Sequence, residues 1–216
     1  MELYEAMGTT RAVRRLRPDP IPDDVLRRVL TAATHAPSGG NRQAWRMLVV
    51  KDPGIKQRLQ ALWLEPWRLY AEAGRAALQA APEASRDKGL RSLAAGDYLA
   101  EHLHEVPAIV VLCFDARGLA ITDAKLARPS VVGGASIYPA VQNLLLACRA
   151  EGLGCVLTTL LCAFEEEVRP ILELPPQWYL GAFVPIGYPV GRGHGPVSRR
   201  PLEAMTFLDR WDQPLF

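Results

Sequence analysis

Apolar positions in "PIPDDVLRRVLTAATHA" recur at Leu26, Val29, Leu30 and Ala33, the i, i+3, i+4, i+7 spacing of one helix face, behind a proline and two aspartates suited to a helix start. The stretch predicts an amphipathic helix. A second helical stripe, Val141, Leu144, Leu145 and Cys148, runs through "SIYPAVQNLLLACRAEGLG", with Gly152 and Gly154 expected to stop it. By contrast "WRMLVVKD", "VPAIVVLCFD" and "GAFVPIGYP" are short β-branched or aromatic-rich runs bounded by Pro, Gly or Asp, as buried strands are, and "CVLTTLL" is a further strand candidate. Residues 56–104 read as largely helical, with loop signals near Ala81-Pro82-Glu83 and at Gly89, and Trp63, Trp67 and Tyr70 add aromatic surface. This segment is expected to be a helical excursion acting as a lid. Helices alternating with strands, without repeats or low-complexity linkers, predict a single domain over residues 1–216: an α+β or α/β sandwich with one sheet between helical layers.

Composition narrows the partners. The 25 basic and 23 acidic residues nearly cancel, which favours neither nucleic acid nor an acidic membrane surface and leaves small molecules or proteins. No apolar run approaches the roughly 20 residues that span a bilayer, and "MELYEAMGTTRAVRR" lacks the apolar centre of a signal peptide, so the expected location is the cytoplasm. Cys113, Cys148, Cys155 and Cys162 have no Cys-x-x-Cys spacing and sit among apolar or small residues, as buried free thiols do.

The familiar fingerprints are missing. There is no Gly-x-Gly-x-x-Gly, no Gly-x4-Gly-Lys-Ser/Thr and no Gly-x-Ser-x-Gly around Ser38. His35, His102, His104 and His194 form no metal spacing with nearby carboxylates. What remains is arginine in two separated places, Arg11, Arg14, Arg15 and Arg17 near the start and Arg199 and Arg200 after the last strand. Guanidinium groups are natural phosphate clamps, although such a cluster alone is more often an ordinary solvated face.

In four ordered places the chain resembles the FMN-dependent nitroreductase family. "TRAVRRL" is similar to its Arg-Arg-Ser-Val-Arg-Arg-Phe opening, and "APSGGNRQAW" to its Ala-Pro-Ser-Gly-Gly-Asn-x-Gln-Pro-Trp. "ACRAEGLGCVLTT" is similar to its helix-Gly-Leu-Gly-strand, and "IGYPVG" with "SRRPLEAM" to its Gly-Tyr-Pro and Arg-Arg-Pro-Leu close. Residues 56–104 fall outside the resemblance.

The resemblance implies an α+β fold, with a central, mostly antiparallel sheet flanked by helices. It also implies an intertwined homodimer whose FMN sites lie at the subunit interface. Arg11 and Arg199 would bind the FMN phosphate with Arg200 beside them, and Arg14 would face the pyrimidine edge, where positive charge stabilises the reduced ring. Ala12 and Val13 belong to the same stretch. Pro37, Ser38, Gly39 and Asn41 would come from the partner subunit, glycine admitting the main chain and Ser38 and Asn41 supplying hydrogen bonds. Leu157, Thr158 and Thr159 would lie along the flavin near N5, giving backbone amides or a hydroxyl to N5 and O4.

Two departures thin the phosphate clamp: Thr10 stands where the family often has its first arginine, and Ala12 where it often has a phosphate-binding serine. Ala44 in place of the usual proline is a minor change. The implied chemistry is ping-pong: NADH or NADPH delivers hydride to flavin N5 and leaves, and a nitroaromatic, quinone, enone or flavin then takes the electrons in the same pocket. No residue is required as an acid or base, and Trp63, Trp67 and Tyr70 could stack on an aromatic acceptor. The alternatives are a flavin-dependent dehalogenase or dehydrogenase of the same fold, an FMN-binding or sensing protein without turnover, and a flavin-free dimeric scaffold.

Overall fold

A computed structural model describes residues 1–216. In chain order it contains α1 (Leu3–Thr9), α2 (Asp23–Thr34), β1 (Trp45–Val50), α3 (Pro53–Gln79), α4 (Glu83–His102), β2 (Ala108–Asp115), α5 (Tyr138–Ala150), β3 (Gly154–Cys155), α6 (Glu165–Leu172) and β4 (Trp178–Gly187). The four strands pair antiparallel in the order β1-β2-β4-β3, which makes this the expected α+β fold.

Alternation along β2 divides the core between two faces, as the two-residue strand repeat requires. Ile109, Val111 and Cys113 pack on one side with Leu59, Trp63, Leu99 and Val168, from α3, α4 and α6. Val110 and Leu112 pack on the other with Leu26, Val29, Val141 and Leu144, from α2 and α5. In β4 the register against β2 slips at Leu112/Cys113, leaving Gly181 unpaired between Leu180 and Ala182. The bulge inverts the strand's parity, so Leu180 shares a face with Phe183 and Ala182 shares one with Val184.

The helix limits follow from local chemistry. Asp52 caps α3, its Oδ1 accepting from the Ile55 amide at 2.8 Å, with Pro53 opening the first turn. After α5 the chain turns at Gly152, where φ is +75°, and the Leu153 amide returns to the Cys148 carbonyl at 2.8 Å. Gly152 alone stops this helix; Gly154 is in β3, and a Cβ there would meet Val13 Cγ1 at 2.7 Å.

Two further expectations need correction. "CVLTTLL" is not a strand: pairing ends at Cys155, a lone bridge joins Thr158 to Phe183, and Leu160–Phe164 form a 3₁₀ turn. Gly89 lies inside α4 rather than in a loop, beneath the Leu78 side chain where α3 and α4 touch. The break between these helices falls at residues 80–82, beside the Ala81-Pro82-Glu83 signal. Lys56, buried in α3, donates from Nζ to the Val106 carbonyl at 2.6 Å and ties the helix to the foot of β2. No helix is long and apolar enough to cross a membrane.

Candidate functional site

Residues 11–17 form an extended strap beside the sheet. The Val13 amide donates to Cys155 O at 2.9 Å, the Arg17 amide to Tyr188 O at 2.7 Å, and the Val190 amide to Arg15 O at 2.9 Å. Val13 and Leu16 point into the core, which leaves Arg11 and Arg15 exposed and Arg14 half-buried. Alternation of apolar and basic residues therefore places the cations.

Arg14 lines a cavity of ≈ 290 Å³. Its other walls are Trp63, Trp67 and Tyr70 of α3, Gly96 and Leu99 of α4, and the segment Val156 to Leu160. The Arg14 guanidinium has no hydrogen-bond or ion-pair partner within the chain. Burial holds its pKa below the usual arginine value, opposed by the nearby Tyr70 phenol. The buried Trp63 indole Nε1 also lacks an acceptor. A half-buried cation with no partner in the chain, facing a cavity of largely apolar lining, suits a ligand with acceptor atoms.

The opposite wall is more fully satisfied. Thr158 exchanges both backbone hydrogen bonds with Phe183 at 2.9 Å, and its Oγ1 accepts from the Leu160 amide at 3.4 Å. Because Phe183 takes the Thr158 amide, the expected donors of this segment that stay uncommitted are the Leu157 and Thr159 amides and the hydroxyls. Leu157 and Thr159 donate to no backbone carbonyl, and both are exposed at the cavity rim. Trp67 is fixed by its Nε1–H to Asp97 Oδ1 at 3.0 Å and tilts against Tyr70 with ring centroids 5.5 Å apart.

The other expected site residues lie outside this cavity within one chain. Arg11 is exposed and folds back on the Pro196 carbonyl, Nε at 3.0 Å, with Nη2 also donating to it. Ala12 is exposed and bridges to Cys155 through its backbone. Arg199 and Arg200 are exposed, Arg199 reaching only the Ser198 carbonyl at 2.9 Å. Pro37, Gly39 and Asn41 are exposed and Ser38 half-buried. Ser38 Oγ accepts from the Gln43 amide at 3.0 Å, and the Gly39 amide donates to Ser136 Oγ at 3.1 Å. Gly40, Asn41 and Gln43 all have positive φ, near +50°, so the loop is a tight left-handed turn whose glycine is needed. Gly96 and Leu99 escaped the sequence reading: "LAAGDYLA" reads as any helix, and only the packing of α4 on α3 brings them to Trp67.

A nitroreductase family model matches residues 8–188. The chain is 36% identical over 203 residues to an NADH dehydrogenase of Thermus thermophilus, covering 91% of this chain and 90% of that protein. It is 28% identical over 204 residues to human iodotyrosine deiodinase 1, covering 94% of this chain but 66% of the deiodinase. A structure described as a nitroreductase in complex with FMN, from Desulfovibrio desulfuricans, superimposes with a TM-score of 0.69 at 22% identity and 98% coverage of both chains.

Proposed function

This chain belongs to the nitroreductase family of oxidoreductases, and from that premise we propose that it binds FMN and uses NADH or NADPH to reduce a small planar acceptor such as a nitroaromatic or quinone. One observation carries the reading: the unpartnered Arg14 guanidinium faces the same cavity as the Leu157–Thr159 segment and the aromatic residues of α3. When bound, FMN would supply the two-electron chemistry that no side chain here offers.

The residues fit that group. Arg14 brings a permanent cation, partly shielded from water, to a cavity with apolar walls, where charge acts more strongly than in bulk solvent. The uncommitted amides of Leu157 and Thr159, with the Thr158 hydroxyl, would donate to ring acceptor atoms. Arg11, Arg199 and Arg200 would hold the phosphate; Arg11 would exchange the Pro196 carbonyl for it, a stronger charge-assisted bond. Ala12 supplies no hydroxyl, so the clamp rests on guanidinium groups. Trp67 and Tyr70 would stack on the acceptor and exclude water.

We further propose a homodimer in which Pro37, Ser38, Gly39 and Asn41 of each chain complete the other's site. Exposure of most of that turn, and its place outside the walls of the Arg14 cavity within one chain, support this. The whole chain would act as one domain in the cytoplasm, where its four unpaired cysteines stay reduced. Similarity to iodotyrosine deiodinases supports a second reading, reductive dehalogenation of an aromatic at the same site.

The visible spectrum of the purified protein, followed by anaerobic addition of NADH and then NADPH, tests the proposal. A flavin spectrum that bleaches supports it and identifies the donor. A yellow protein that neither nucleotide bleaches is a binder or uses another reductant, and a colourless protein that takes up no FMN refutes the reading.

A further inference from the structure

We infer that His194 is the positioning residue that fixes the main chain of Arg11 in the phosphate-binding arm. The inference rests on the reading of Arg11, Arg199 and Arg200 given above. His194 is 6% exposed and belongs to no cavity wall described for the site. Its Nε2 lies 2.8 Å from the Leu153 carbonyl. A carbonyl can only accept, so Nε2 carries the hydrogen and Nδ1 of the neutral ring is left as an acceptor. That acceptor receives the Arg11 amide at 3.5 Å.

The ring thus joins three segments. Gly193, with φ of +63°, turns the chain so that its neighbours can pair with the end of α1: the Gly195 amide donates to Thr9 O at 3.1 Å and the Val197 amide to Gly8 O at 3.0 Å. The Arg11 guanidinium lies over Gly195 and bonds to Pro196 O. His194 is the side chain that pins this double strap to Leu153, just before β3, and so to the sheet. The strap leads directly to Arg199 and Arg200, which places both arginine arms on one support. The charged group facing the ring is Arg149 of α5, itself bonded to Thr9 Oγ1 at 2.9 Å and 4.0 Å from Glu5 Oε1. No carboxylate pairs with the imidazole, so the ring serves as a neutral acceptor.

Two isosteric variants separate positioning from simple core filling. His194→Gln can keep the donor to Leu153 but loses the acceptor for Arg11; His194→Asn keeps an acceptor at the Nδ1 position but loses the donor to Leu153. FMN and riboflavin, which differ by the phosphate, are titrated into the flavin-free full-length protein by fluorescence quenching. Wild type is expected to bind FMN more tightly than riboflavin. Each variant cuts one of the two bonds through which the ring holds Arg11 to Leu153, so each is expected to weaken FMN about fivefold, as loss of one such hydrogen bond would, with riboflavin unchanged. The inference is overturned if either variant binds FMN as wild type does, or if either weakens both flavins equally. Should wild type bind FMN no more tightly than riboflavin, the phosphate arm itself is misassigned and the inference falls with it. A wild type that binds neither flavin sinks the functional reading as a whole.

Discussion

The indole Nε1–H of Trp67 donates to Asp97 Oδ1 at 3.0 Å, while the same ring closes over the bare Cα of Gly96. Asp97 is itself held by the Arg75 guanidinium. A side chain at residue 96 would therefore collide with a ring that cannot yield without losing its partner: a Cβ there would stand 2.1 Å from Cη2 and 2.2 Å from Cζ2.

Gly96→Ala is accordingly expected to destabilise the protein, although alanine is the better helix former. The helix gain is about 1 kcal/mol and overpacking costs about 1–3 kcal/mol, so a net loss near 1 kcal/mol should appear in urea denaturation. At Gly89 the clash is with the Leu78 methyl groups, which can rotate away, so Gly89→Ala should be neutral or stabilising. Equal effects at the two glycines would contradict this packing argument.

Arg14→Met tests whether the unpartnered cation is kept for a ligand. Because no ion pair or hydrogen bond is broken within the chain, the flavin-free protein should stay within about 0.5 kcal/mol of wild type or gain stability. The flavin-loaded protein should instead lose about 1.5–3 kcal/mol of stabilisation of the reduced cofactor, roughly 30–60 mV for a two-electron couple. Redox titration against a reference dye reads that shift. An unchanged potential would remove Arg14 from the role proposed for it.

Much of this arrangement was legible in the linear sequence. The periodicities of α2 and α5 are strong because each buries one defined face, and β1 and β2 stand out as short β-branched runs, β2 being buried on both faces. Arg14, Leu157, Thr158 and Thr159 were legible as motif residues, and the fold brings all four to one cavity. The segment after Cys155 was not, because Val156, Leu157, Thr158 and Thr159 have the composition of a strand while β4 offers them only one bridge partner at Phe183. Gly96 and His194 were invisible for another reason. Their roles depend on contacts with residues distant in sequence, Trp67 and Leu153, and no local pattern encodes them.

His194 also sets an expected pH dependence of folding. Burial holds its pKa below the ordinary value, partly offset by the bond to the Leu153 carbonyl, while the charge of Arg149 lowers it further. The unfolded chain takes up a proton near about pH 6.5 and the folded chain resists it, so below that pH the unfolded state binds more protons. The contribution is thus complete above about pH 6.5 and is lost as pH falls through the folded value. Urea denaturation between about pH 7.5 and pH 5 should show stability declining in wild type and a flatter profile in His194→Gln. Parallel profiles would place the acid sensitivity in other groups.

The last prediction concerns the acceptor. Tyr70 is 59% exposed and contributes its ring to the cavity wall beside Trp67, so it has little to do for the folded core. Tyr70→Leu should leave stability within about 0.5 kcal/mol. Stacking between rings is worth about 0.5–1.5 kcal/mol beyond area burial, so KM for a flat quinone or nitroaromatic should rise roughly twofold to tenfold. A small non-aromatic enone, which has no ring face to offer, should show no such rise. The comparison matters because the nicotinamide of the donor is also flat: a general loss of binding would raise KM for every substrate. A difference confined to aromatic acceptors would assign the α3 aromatics to acceptor selection, and an equal shift for quinone and enone would assign them to the shape of the site alone.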